Sequence, residues 1–168
     1  MKRWLGWLLV AILLMGLGVW GWRFLFPSPE KVIRARLNRM AQLATFAGNE
    51  GPLAKLGNAE ELAGCFTSDV AVAADSPGAG PLTLHGRDNL LHWLLGVRAN
   101  LSALKVEFLD IQVTIHADGR TALAYLTCKA AVPGEPDFAV QEFNFLFSKT
   151  GRNWLVYKIE TVKTLSRL

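Results

Sequence analysis

An α+β domain behind one apolar, membrane-spanning segment is the architecture that this sequence of 168 residues predicts, and three observations predict it. The first twenty-six residues are apolar and aromatic apart from a few cations. Helical and strand-like periodicities then follow in the order helix, short helix, two strands, helix, four strands. Glycine and proline turn residues divide the last four strands. Once the N-terminal segment is set aside, the remaining length fits one domain of ordinary size.

From Trp4 to Trp22 no residue is charged, and at about 1.5 Å per helical residue this run matches the thickness of a bilayer's hydrocarbon core. Lys2 and Arg3 precede it. Trp4, Trp7, Trp20, Trp22, Phe24 and Phe26 gather toward its ends, where aromatic rings favour the headgroup level. The predicted division is a short tail at 1–3, an anchor at 4–26, a linker at 27–29 and a domain from 30 to 168. Gly16-Leu17-Gly18 offers a competing signal-peptide reading, but the apolar run continues past it through bulky aromatics. The charged start favours an inside N-terminus and an extracytoplasmic domain, whereas Arg23, Lys31, Arg34, Arg36 and Arg39 pull the other way.

Pro27, Ser28 and Pro29 end the anchor, with Ser28 placed to cap a new helix and Pro29 at its first turn. Over Glu30 to Phe46, Ile33, Leu37, Met40 and Ala44 share one face and the cations lie off it. That basic side could be a solvated face or could rest on anionic lipid. A glycine-rich connection from Gly48 to Gly57 leads to Asn58-Ala59-Glu60-Glu61, whose spacing predicts a capping box for a short helix through Phe66. Strands are expected near Val70–Ala73 and Leu82–His85, around a turn at Ser76-Pro77-Gly78. Gly86 opens a helix through Leu101 that puts Leu90, Leu91, Leu94, Arg98 and Leu101 on one side. Segments 104–116, 121–132, 138–148 and 153–164, divided by Asp118-Gly119, Pro133-Gly134 and Gly151, predict an antiparallel meander.

That order resembles the nuclear transport factor 2-like superfamily, including its polyketide-cyclase-like branch, from roughly Glu30 to Leu165. The carriers are Cys65-Phe66-Thr67-Ser68-Asp69-Val70 at the first strand, Leu84-His85-Gly86-Arg87-Asp88 leading into the middle helix, and Trp154-Leu155-Val156 in the last strand. The resemblance implies a curved antiparallel sheet wrapped around helices as a cone with an internal pocket, often dimeric through the outer sheet face. Alternation assigns Leu109, Ile111, Val113, Ile115, Leu123, Tyr125, Phe143, Phe145, Phe147, Leu155, Tyr157 and Ile159 to the pocket side. It puts Ala124, Leu126, Val140, Trp154 and Val156 outside with Gln112, Glu142, Asn144 and Lys158, an apolar patch that suggests a homodimer.

The candidate ligand contacts are Arg98, which could hold an anion, and the hydroxyls of Tyr125 and Tyr157. Each has a structural alternative, as a snorkelling or ion-paired arginine and as core aromatics. No catalytic residue is assigned. Ketosteroid isomerases of the resembled superfamily use a carboxylate base with tyrosine and protonated-acid donors. Here the first domain helix has no tyrosine and no matching acid pair falls on the pocket face. The aspartate-arginine-aspartate arrangement of the epoxide hydrolases is likewise unmatched.

His85, His92 and His116 join no metal-ligand spacing, and no cofactor is expected. Cys65 and Cys128 fit no metal or CxxC motif; an oxidising compartment would allow them to pair, and two buried free thiols are the other reading. A net charge of +4 without a cationic run points away from nucleic acid. Gly16 to Gly21 spells a dinucleotide fingerprint, but no strand precedes it. The reading that results is a membrane-anchored, non-catalytic domain binding a small hydrophobic ligand or a protein partner. Its alternative is a cofactor-independent isomerase, dehydratase or cyclase acting on a hydrophobic substrate.

Overall fold

Three helices lie against a curved six-stranded sheet in the computed structural model, which describes residues 28–76, 80–134 and 138–162. The predicted anchor, the turn at Pro77-Gly78 and the chain end lie outside the described residues. Among those described, no helix is long and apolar enough to cross a membrane.

Helix α1 spans Pro29–Ala44, with Ser28 as its N-cap residue and Pro29 in its first turn. Proline suits that position because its missing N–H would have had no helical partner. Ile33, Leu37, Met40, Ala41 and Leu43 form its buried stripe. Helix α2 spans Pro52–Ala63 and corrects the expected capping box. Gly51 is the N-cap and Pro52 again starts the helix, so Asn58 lies inside it. The Asn58 side chain instead donates to Glu50 Oε1 at 2.5 Å. Helix α3 spans Arg87–Asn100 and begins at Gly86, whose φ of 83° is a conformation that glycine adopts without the usual side-chain clash. The Gly86 N–H donates to the Val70 carbonyl, which holds that turn on the first strand.

The strands are β1 (Phe66–Ser76), β2 (Gly80–His85), β3 (Lys105–Ile115), β4 (Thr121–Ala131), β5 (Phe138–Thr150) and β6 (Asn153–Thr161). Their order in the sheet is β2-β1-β6-β5-β4-β3. The meander from β3 to β6 is antiparallel throughout, as its turn residues predict, and β1 joins β6 in parallel.

Two irregularities correct the predicted division of side chains. In β3 the register slips between Leu109 and Gln112, and Asp110 sits there with φ of 52°. A bulge of this kind adds one residue and reverses the alternation beyond it. Phe108 therefore faces inward together with Ile111, Val113 and Ile115, while Leu109, expected in the pocket, is exposed. In β6 the register slips between the partners of Leu146 and Phe147, so that Val156 and Ile159 both pack on the core.

Strand β4 is regular, but its faces are the reverse of those expected: Ala122, Ala124 and Leu126 are buried, and Leu123 and Tyr125 alternate with them. Trp154 and Val156, expected outside, are also core residues. Small β4 side chains oppose large β5 ones, with Ala122 beside Phe147 and Ala124 beside Phe145. The alanines leave room for rings from the next strand, and for this reason apolar size alone misassigned the strand.

Candidate functional site

The concave face of the sheet and the helices leave an apolar pocket of about 220 Å³. Helix α1 contributes Met40 and Ala44, α3 contributes Leu90 and Trp93, and β1 with β2 contribute Val72, Ala74, Leu82 and Leu84. Val106, Phe108, Cys128, Phe143, Phe145 and Ile159 come from the other side of the cone. Phe108 and Phe145 meet edge to face with ring centroids 5.7 Å apart, and Phe143 meets Phe145 in the same way at 6.3 Å. Such T-shaped contacts set the positive ring edge against the negative ring face and fix the rings' orientations. Trp93 is 41% exposed while lining the pocket, which puts it where the pocket meets solvent.

The one heteroatom-bearing aliphatic side chain of that lining with a proton to lose is Cys128. Burial pushes its thiol up to about 11 from an ordinary 9.0, because a thiolate loses more than a thiol on leaving water. It is therefore a neutral, weakly polar wall group at physiological pH. The lining includes no carboxylate, imidazole, hydroxyl or guanidinium side chain.

None of the three residues predicted to touch a ligand lines this pocket. Arg98 is 3% exposed and points at the connection between α1 and α2. One guanidinium nitrogen lies 2.5 Å from Glu50 Oε2, another donates to the Leu43 carbonyl, and the Arg98 guanidinium carbon lies 4.8 Å from the centre of the Phe46 ring. Leu43 is in the last turn of α1, where helix carbonyls lack intrahelical donors, so Arg98 caps α1 from a neighbouring helix. Next to this clasp, Phe46 and Leu104 exchange backbone hydrogen bonds at 2.8 and 2.9 Å. Thr45 Oγ1 and the Val106 backbone pair at 3.0 and 3.2 Å.

Tyr125 lies on the outer face of β4, opposite Gln112 and Asn144. A hydrogen bond to the Glu142 carboxylate raises its pKa above the usual phenol value, with smaller contributions from burial and from the charges of Glu142 and Asp110. Tyr157 stands at the β6 irregularity and is half-buried. The three histidines remain separate: His116 Nδ1 lies 2.8 Å from Thr121 Oγ1, and His85 and His92 are exposed. No group of side chains that could hold a metal ion occurs among the described residues. Both cysteines are free, Cys65 buried and Cys128 half-buried.

Alternation predicted Phe143, Phe145 and Ile159 on the pocket side. It missed Phe108 because of the bulge, and Trp93 and Cys128 because nothing distinguishes them in the sequence from ordinary apolar helix and strand positions.

No protein-family model and no curated protein matches the sequence. Solved structures do match the fold, which is the nuclear transport factor 2-like, or cystatin-like, cone. A nuclear transport factor 2-like protein with a cystatin-like fold from Novosphingobium aromaticivorans is similar at TM-score 0.63 and 19% identity, over 88% of this chain and 89% of that one. A protein of the same organism named provisionally as a scytalone dehydratase is similar at TM-score 0.60 and 16% identity, over 81% and 84%. Another of its proteins, named provisionally as an aromatic ring hydroxylase, is similar at TM-score 0.58 and 16% identity, over 77% and 85%. At such identities the likeness establishes the fold and not an activity.

Proposed function

We propose that this chain is a membrane-tethered, non-catalytic domain that takes a small hydrophobic molecule into the cone, with residues 4–26 as the tether. The observation that carries the reading is the pocket lining, which offers apolar surface and aromatic faces but no side chain able to exchange a proton near neutral pH. Acid–base chemistry needs a group within hydrogen-bond reach of the reacting atom. Binding an apolar molecule needs only shape and burial of surface, at roughly 25 cal/mol per Å². Arg98, the buried cation, is already engaged by Glu50 and a helix end.

The enzyme reading is a cofactor-independent isomerase, dehydratase or cyclase, and it is favoured by the provisional name of one structural neighbour, the dehydratase. It requires a polar pair to reach the ligand, which the pocket lining does not offer. A homodimer through the outer sheet face is a further part of the proposal. Its apolar groups are Leu109, Phe138 and Val140, exposed at one end of β3 and β5. Lys129 lies over the Phe138 ring at 4.6 Å. This patch replaces the Ala124, Leu126, Trp154 and Val156 set, which is buried in the core.

Native mass spectrometry of the purified full chain released from detergent tests ligand and oligomer together. A bound apolar species of defined mass, lost when Ala74→Phe fills the cavity, is the expected result. A chain that carries nothing and turns over a hydrophobic carbonyl substrate would replace this reading with the enzyme one.

A further inference from the structure

A second concavity lies outside the cone, on the seam between α1 and α2, and unlike the pocket it is bordered by charged side chains. It encloses about 500 Å³ between Val32, Arg36, Arg39, Glu61, Gly64 and Cys65. Arg39 and Glu61 form a bidentate pair across it, Nε to Oε1 at 2.8 Å and Nη2 to Oε2 at 2.9 Å. Arg36 is half-buried there and its side chain has no ion pair or hydrogen bond among the described residues. Its charge and that of Arg39 are felt at the buried Cys65 thiol, where both oppose the larger upward effect of burial.

Further cations lie around α1, Lys31 and Arg34 a turn apart and Arg36 on the flank toward the seam. Lys31 and Arg34 are exposed on the side of α1 that faces away from the core, and neither side chain has an ion pair or hydrogen bond among the described residues. Glu30 is the carboxylate of that first turn, against the cations Lys31, Arg34 and Arg36 that follow. A helix needs no such concentration to stay soluble, and Lys31 in its first turn opposes the helix dipole. An external anion would offset both.

The chain itself limits where that anion is. Only Pro27 and Ser28 separate Phe26, the last residue of the expected anchor, from Pro29. At no more than about 3.6 Å per residue this allows roughly 10 Å of reach. Any bilayer that holds residues 4–26 must lie next to the first turns of α1. We infer that the outward side of α1, with Lys31 and Arg34 on it and Arg36 at its seam edge, rests on the anionic phospholipid headgroups of that bilayer, fixing how the cone is presented to the membrane. The inference rests on the tether reading and adds an oriented, charge-dependent contact to it. Headgroup phosphates suit the guanidinium fork of Arg36, while Lys31 and Arg34 respond to the surface potential.

The test uses the unmodified full chain in vesicles of phosphatidylcholine, alone or mixed with phosphatidylglycerol. Acylation of Lys31 by an uncharged reagent is read by peptide mass spectrometry against that of Lys105, exposed at the start of β3 where the C-terminal end of α1 meets the sheet. The ratio of Lys31 to Lys105 acylation is expected to be severalfold lower in the anionic vesicles than in the neutral ones. Molar salt, with a Debye length of about 3 Å, should remove the difference. The Arg34→Gln/Arg36→Gln variant should lose the protection, and the Arg34→Lys/Arg36→Lys variant should keep most of it. Equal acylation in both vesicles, in a chain that resists alkaline carbonate extraction, would overturn the inference and leave the tether standing. A chain that carbonate extracts would remove the tether and this contact together. Protection by millimolar inorganic phosphate in neutral vesicles would make the seam a free-anion site and also overturn it.

Discussion

Leu90 and Arg98 lie two turns apart on the same stripe of α3, yet one borders a pocket without a polar side chain and the other anchors the most polar cluster in the interior. The difference teaches what this fold does with buried charge. At the end that holds the pocket, the open end because the 41% exposed Trp93 borders it, α3 lines the cavity with β1 and β2. At the closed end the last turn of α1 leaves the Leu43 carbonyl without a helical donor, and the connection to α2 carries the Glu50 carboxylate. Arg98 donates to both, and Glu50 neutralises Arg98 while accepting from Asn58. The guanidinium is consumed by the architecture and the cavity is left apolar.

Breaking the closed end should have the largest effect. Arg98→Ala leaves Glu50, 13% exposed, without its cation and Leu43 without its donor. Removing one partner of a buried pair typically destabilises by about 3–5 kcal/mol. Denaturant unfolding of the variant should show a loss of that size, whereas the double variant Arg98→Met/Glu50→Leu should recover much of it. If Arg98→Ala instead leaves stability intact and weakens ligand binding, the arginine belongs to the binding site and the contrast between the two ends collapses.

The open end is sharpened by Cys128. Its thiol, pushed up to about 11, should alkylate about a hundredfold more slowly at pH 8 than one at the ordinary 9.0. A molecule in the pocket should slow it further. Cys65 is the internal comparison: burial raises it too, but Arg36 and Arg39 pull against that rise, and it lines the seam instead of the cone. Iodoacetamide labelling followed by mass spectrometry separates the two. A ligand that protected Cys65 and left Cys128 unchanged would move the binding site out of the cone.

How much of this was legible in the sequence follows from which interactions are local. The β3–β4 and β5–β6 turns announce themselves through Asp118-Gly119 and Gly151, glycines whose positive φ the turns require, and with them the order of the meander. The Ser28-Pro29 start of α1 is equally local. The concave face was legible only in part: Ile111, Phe143, Phe145 and Ile159 were placed on it, but the bulge at Asp110 sets Phe108 inward and Leu109 outward, and no residue type marks that bulge. Nor was the role of Arg98. Its position on an apolar stripe was visible, but Glu50 is 48 residues away and Leu43 is 55, so only the folded chain brings them to it.

Asp118 gives the smallest effect and a control on the large one, since it is a charge satisfied in much the same way but in water. Its carboxylate accepts from the backbone N–H groups of Arg120 and Thr121 at 2.8 and 2.9 Å and from Thr121 Oγ1 at 2.7 Å. These bonds, the one from Arg120 first, hold its pKa at about 2 against an ordinary 3.8. The folded value is the depressed one, so the carboxylate's contribution to stability is complete above about pH 4 and is lost as pH falls toward 2. Unfolding midpoints of the native chain and Asp118→Asn, followed from pH 6 to pH 2, should differ most at pH 6 and converge at the acid end. Because the group is fully exposed, that difference should be small beside Arg98→Ala. A difference that grew on acidification would mean that the turn favours the protonated acid, and the assignment of those three hydrogen bonds would have to be withdrawn.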